Sequence, residues 1–261
     1  MALMESRKTV KRVVVVFLAA VVAAAAMIYV QAGRIPSLYK PAILTPDQRK
    51  RAAKEFLNRK ILDEFGNAAQ RNEPFEWVIS EGELNRYLAS IDEIAAGAPS
   101  VRQGTVMCAM ADAGLAGPAV ALRDGKVTLM ARSITHEKVL SADVGFRFDA
   151  DRKLAATLLA ARLGRLALPD AVVRDRIDAL KKLLAPVADS HHDDRSNGLV
   201  GVSALDIGQI LRAVLTAIDS EPIPTDFTWR ISRRRVRVAD ITIADGLLRL
   251  HIVPVIGRPA G

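Results

Sequence analysis

Residues Phe75–Ser90 read FEWVISEGELNRYLAS, and the change of period inside them decides the fold class. Phe75, Trp77 and Ile79 alternate with Glu76 and Val78, the period of a strand with one buried face. Ser80 and Glu83 then have the S-x-x-E spacing of a capping box, in which each satisfies an amide the other leaves free. Leu84, Tyr87 and Leu88 follow at helical spacing, and Asn85 could hydrogen-bond into a neighbouring loop but reads more simply as a solvated helix residue. A strand that feeds a capped helix predicts an α+β chain.

The same reasoning extends outward. Thr45 caps a helix with Pro46 at its first position. Ala53, Leu57, Ile61 and Phe65, widened by Ala52 and Phe56, form its apolar stripe, with Arg49, Lys50, Arg51 and Lys60 expected on the other side. Residues Ala89–Pro118 show no clear period. Asp124-Gly125 signals a hairpin turn. After it Val127, Leu129 and Ala131 share one face, and Lys126, Thr128 and Arg132 the other. Ala142, Val144, Phe146 and Phe148 alternate with Ser141, Asp143, Arg147 and Asp149. DADRK (149–153) is a polar turn. The alanine- and leucine-rich 154–168 has helical propensity, but its position after a strand and turn makes its second half a strand.

A helix is expected after Pro169, with Val173, Ile177, Leu180 and Leu184 on one face, then a polar loop over 189–198. Another opens at Ser203 and Asp206, with Ile207, Ile210, Leu211, Val214 and Ile218 on its face. The spacing from Ser203 echoes that from Ser80, which capping physics alone accounts for. Strands return with Phe227, Trp229 and Ile231, with Ala239, Ile241 and Ile243, and with Leu248, Leu250 and Ile252. Asp245-Gly246 joins the last two as a hairpin.

Upstream, Val13–Val30 contains no charge, glycine or proline. As a helix it spans about 27 Å, close to the hydrocarbon thickness of a bilayer. Arg7, Lys8, Lys11 and Arg12 precede it and predict a cytoplasmic N-terminus, with the bulk of the chain extracytoplasmic. Small residues at Val30-Gln31-Ala32 would suit signal cleavage, but the apolar run exceeds a signal core, which favours an uncleaved anchor. The expected division is a basic tail (1–12), a transmembrane signal-anchor (13–32), a stalk (33–44) and an α+β domain (45–261), in a single-pass protein of the cell membrane. The net charge of +8 therefore belongs in part to topology.

Few residues suggest chemistry. The lone Cys108, in an apolar stretch, reads as a small buried hydrophobe and cannot form an intrachain disulfide. His191-His192-Asp193-Asp194 sits in the polar loop and reads as solvated rather than metal-binding. His136 has no motif, and His251 faces outward from a strand. With no phosphate loop and no nucleophile–histidine pattern, the chain reads as a non-enzyme without metal or cofactor. Arg230, Arg233, Arg234, Arg235 and Arg237 form the densest basic run. Nucleic acid is a poor partner outside the cytoplasm. Anionic lipid headgroups suit the run as well as a role in guarding a strand edge does.

The anchor, then FEWVISEGELNRYLAS, LRDGKVTLMARS, VGFRFDADRKLAATL, LGRLALPDAVV and ITIADGLLRLHIVPV, resemble bacterial membrane-anchored proteins related to the tubular lipid-binding (TULIP, BPI-like) superfamily, over about residues 45–255. The resemblance implies long, curved antiparallel strands packed on amphipathic helices, with an apolar groove for acyl chains. Its lining would include Val144, Phe146, Phe148, Ile241, Ile243, Leu248, Leu250 and Ile252. The partners implied are the bilayer and a bound lipid. The alternative is a structural or adaptor module with an envelope protein partner. An enzyme acting on envelope polymer is a third, weaker reading.

Overall fold

A computed structural model of the chain describes residues 22–23, 26–96, 105–149, 152–169, 171, 225–229 and 234–255. The helices expected beyond Pro169 and from Ser203, the loop 189–198 with its His-His-Asp-Asp run and the second copy of the capping echo lie outside these residues. So do Arg7, Lys8, Lys11, Arg12, Arg230, Arg233 and most of Val13–Val30. Among the described residues no helix is long and apolar enough to cross a membrane.

Two capping boxes set the helical part. Thr45 and Gln48 close one, with Thr45 N donating to Gln48 Oε1 at 2.8 Å, and start helix α1 (Pro46–Lys54). The chain continues as a π-helix (Glu55–Gly66) and a short α2 (Asn67–Gln70). The expected stripe is the packed side, with Ala53 and Phe65 buried and Phe56 and Leu57 against the core. Lys60 does not lie on the solvated side as expected. It is three residues from Leu57 and four from Phe56, hence on the stripe itself, and is buried. Burial opposes its charge. Glu64 at 2.8 Å and Glu83 at 3.3 Å outweigh that and raise its pKa, and the ammonium also donates to the Val78 carbonyl at 3.1 Å.

The second box forms as its spacing predicts. Ser80 N donates to Glu83 Oε2 at 2.9 Å, and Glu83 N donates to Ser80 Oγ at 3.2 Å. This ends strand β1 (Phe75–Ser80) and starts α3 (Glu81–Ala89). The stretch without a clear period contains α4 (Ile91–Ala96), α5 (Thr105–Asp112) and strand β2 (Leu115–Arg123). On α5, Met107 and Met110 are half-buried and Cys108 lies between them in sequence, off that side. It is exposed, contrary to the buried reading.

Beyond β2 follow β3 (Lys126–Ser133), β4 (Val139–Phe148), β5 (Leu154–Leu163) and β6 (Leu166–Ala167). The whole of Leu154–Leu163 is strand, its first half included. Cross-strand pairing outweighs alanine's helical propensity there. The last strands are β7 (Asp226–Trp229), β8 (Arg234–Ala244) and β9 (Leu247–Pro254). Two antiparallel sheets result, β1-β9-β8-β7 and β2-β3-β4-β5-β6. In β8 a register shift between Val238 and Asp240 displaces Ala239 from the alternation with Ile241 and Ile243, and it is exposed.

The Asp-Gly pairs are the hairpin turns expected, with positive φ at Asp124, Gly125, Asp245 and Gly246. They also lock the sheets together. Gly125 N donates to the Ile243 carbonyl at 3.1 Å, and Gly246 N donates to the Leu122 carbonyl at 3.2 Å. Around this junction Val120, Leu122 and Ile243 form a core with Leu84, Leu88, Val127, Phe146, Ile241 and Leu248.

The segment read as a stalk is laid on the five-stranded sheet. Tyr39 packs on Ala119, Ala121, Met130 and Val139, and its hydroxyl donates to the Gly117 carbonyl at 2.8 Å. Arg165 N donates to the Gln31 carbonyl at 3.0 Å. Gly164 has φ +60°, and a Cβ there would lie 2.5 Å from the Ala32 carbonyl and 2.8 Å from that of Arg34. Gly164→Ala should cost about 1–3 kcal/mol, because backbone on both sides must give way. The strap should lift, speeding tryptic cleavage after Arg34, since Pro41 blocks cleavage after Lys40. Gly33→Ala, with nothing within 4 Å of its Cβ, should leave cleavage unchanged.

Candidate functional site

Directly paired residues of an antiparallel sheet point to the same side, so the registers of β2 to β5 define two faces. One is apolar in every row from Ala131–Leu140 to Phe148–Leu154, with Ser133 opposite Leu115 beyond its end. Val120, Leu129, Ala142 and Ala161 make one row, and Leu122, Val127, Val144 and Leu158 the next. Ala131, Leu140 and Leu163 flank them on one side. Phe146 pairs with Ala156 and Phe148 with Leu154 on the other. A register shift between Asp143 and Val144 leaves Leu159 as an extra residue of β5, and Leu158 and Ala161 thereby both meet this face. Leu159 lies over Gly145, where a Cβ would sit 3.1 Å from its Cδ1.

The apolar face has two parts. Val120, Leu122, Val127 and Phe146 pack against the other sheet and α3. Beyond them Leu129 is 44% exposed, and Leu140, Ala142, Val144, Ala161 and Leu163 are half-buried.

The opposite face is polar and lies under the strap. Its rows are Ala119, Met130, Ser141 and Arg162, then Ala121, Thr128, Asp143 and Ala160. Burial here is the reverse of what hydropathy suggests. Thr128, Ser141 and Asp143 are buried while Leu129 is exposed. Asp143 Oδ1 accepts from Thr128 Oγ1 at 2.8 Å, and its Oδ2 is met by Arg162 Nη1 at 3.0 Å and Lys126 Nζ at 3.1 Å. Burial pushes the Asp143 carboxyl up, but these three donors outweigh it and hold it below the usual carboxylate range.

No protein-family model, no curated protein and no solved structure matches this chain. The site is therefore read from its own residues.

The eight groove candidates divide between the two sheets. Ile243 and Ile252 are core residues, at 6% and 0% exposure. Phe146, Ile241 and Leu248 pack on the core around Leu122, and Leu250 on that around Phe65 and Val236. Val144 and Phe148 are half-buried on the apolar face. The registers thus bring Val144, Phe146 and Phe148 together and leave the other five on the second sheet. Of the headgroup candidates, Arg234, Arg235 and Arg237 lie on β8, with Arg235 exposed and Arg237 half-buried. His251 pairs between Glu76 and Asp240, on the side of its sheet away from the core, as expected. His136 is exposed between β3 and β4. Among the described residues no group of three His, Cys, Asp or Glu side chains could hold a metal ion.

Sequence reasoning missed two features. Asn85 is buried rather than solvated, and pairs with the backbone of Val120. Asp143, Thr128 and Lys126 were visible only as alternating polar residues, Arg162 was not singled out, and nothing in hydropathy shows that a strap covers them.

Proposed function

We propose that this chain is a membrane-anchored extracytoplasmic domain that binds lipid or another hydrophobic molecule along the apolar face of the five-stranded sheet. The observation that carries the reading is the run of apolar cross-strand rows from Ala131–Leu140 to Phe148–Leu154, with Leu129 still 44% exposed. An ordinary two-faced sheet puts polar residues where it leaves exposed surface. Support for the anchor comes from Met27, Ile28, Tyr29 and Val30, apolar and more than half exposed in the helical residues 26–33. Kinship with the tubular lipid-binding superfamily belongs to the same proposal, as does a non-catalytic role.

The test is native mass spectrometry of the full chain purified from membranes. A co-purifying lipid is expected, with occupancy at least halved in Leu129→Glu and Ala142→Glu, whose charges would sit in the middle of the face. Bare protein that also takes up no added phospholipid would end this reading.

An adaptor module is the second reading. Ile43 at 93%, Leu159 at 58% and Ile134 at 51% exposure favour it, being apolar side chains left in water. Crosslinking from these three positions in cells should then capture one recurrent envelope protein.

A further inference from the structure

The polar face under the strap holds a cavity of about 550 Å³, walled by Pro36, Ser37 and Leu38 on one side and by the sheet on the other. Its charged lining is Arg123, Lys126, Arg162 and Arg165 against Asp124 and Asp143. The carboxylates do not cancel the cations. Asp143 Oδ2 is shared by Lys126 and Arg162, so one positive charge of that trio is left over. Arg165 has no carboxylate partner among the described residues. Arg123 is held by Glu81 at 2.7 Å, and Asp124 is exposed in its turn.

Lys126 and Arg162 are also fixed in place, while Arg165 is exposed at the rim. Asp143, 2% exposed and anchored by Thr128, holds Lys126 and Arg162 through one oxygen. Arg165 follows Gly164, whose contact with the strap backbone sets the cavity rim. Lys126 and Arg162 each keep further N–H donors beyond the one given to Asp143. The Ser141 hydroxyl, on a buried residue of the same wall, makes no hydrogen bond to another described residue. Preorganised cations with spare donors and a hydroxyl match a tetrahedral oxyanion better than a planar or apolar ligand.

We infer that this cavity binds a phosphate group, as the free anion or a soluble phosphate ester, or as the phosphate of a lipid headgroup. The lipid source is close at hand, since the strap runs directly from the helical residues 26–33, of which the apolar residues 26–30 are exposed. The inference does not rest on the acyl-chain reading, because the cavity lies on the other face of the sheet.

The experiment uses the full chain in dodecyl maltoside and phosphate-free buffer. Inorganic phosphate, glycerol phosphate and phosphatidylglycerol are titrated separately, with diacylglycerol as a phosphate-free lipid control, and binding is read by calorimetry and thermal midpoint. Saturable binding that Arg165→Gln weakens about tenfold, the worth of one hydrogen bond to a charged group, supports the site. Arg162→Gln should act likewise, and Arg165→Gln keeps the test valid if losing the Asp143 partner unfolds the chain. Binding of the two soluble phosphates assigns a soluble ligand. Binding of phosphatidylglycerol alone, with the same sensitivity to Arg165, assigns the headgroup. No saturable binding, or binding that Arg165→Gln leaves unchanged, overturns the inference. Lipid uptake through the apolar face alone would show as phosphatidylglycerol and diacylglycerol binding equally, unaffected by Arg165→Gln.

Discussion

Asn85→Ala should lower the unfolding free energy by about 2–6 kcal/mol, since two buried backbone groups lose their partner at about 1–3 kcal/mol each. Strand β2 is an edge of its sheet, so its outward backbone groups have no neighbouring strand. Helix α3 supplies the missing partners through side chains. Asn85 Nδ2 donates to the Val120 carbonyl at 2.8 Å, and Val120 N donates to Asn85 Oδ1 at 2.7 Å. One turn earlier Glu81 Oε2 accepts from Leu122 N at 2.9 Å. A side-chain amide thus imitates the strand that is not there.

Alanine removes both Asn85 bonds in a place water does not reach, as Val120 is 5% exposed. Asn85→Asp keeps the acceptor, loses the donor and sets a charge against a carbonyl, and should be at least as damaging. Urea unfolding of the full chain gives the magnitude, and hydrogen exchange at the Val120 amide gives the mechanism. A loss below about 1 kcal/mol, with that amide as protected as before, would mean that the clamp contributes little.

Asp143→Ala should cost about 3 kcal/mol at neutral pH. Breaking a buried ion pair costs about 3–5 kcal/mol, and the lower end applies because the Lys126 and Arg162 side chains are 29% and 35% exposed. The effect should depend on pH with a definite sign. The folded-state pKa of Asp143 lies below its ordinary value of 3.8. Its contribution is therefore complete above that value and fades as pH falls through the folded pKa. Glu83 behaves alike. Burial raises its pKa, and the bonds from Ser80 and Lys60 outweigh that and lower it, so wild type should lose stability in acid from both. The gap between wild type and Asp143→Ala should narrow on acidification, whereas the Asn85→Ala gap should not. Parallel urea titrations at pH 7 and pH 3 compare them. An Asp143→Ala deficit of equal size at both would sink the electrostatic account.

The sequence by itself determined the local structure. Ser80 and Glu83, Thr45 and Gln48, Asp124-Gly125 and Asp245-Gly246 formed the caps and turns that their chemistry dictates, because each depends only on residues a few positions apart. The alternation in 126–132 and 141–149 likewise assigned side chains to the correct faces. What it could not settle was which face is covered, because that depends on segments distant in the chain. The strap around Tyr39 buries Asp143, Ser141 and Thr128, while Leu129 on the apolar side stays exposed. Asn85, Lys60 and Cys108 were misread for the same reason. A helix position becomes buried or solvated by what packs against it, and the partners of Asn85 and Lys60, at Val120 and at Val78 and Glu83, come from other elements of the fold. Local hydrogen-bond chemistry is legible in order of sequence. Burial, and with it the cavity and the apolar face, is decided only when the two sheets and the strap come together.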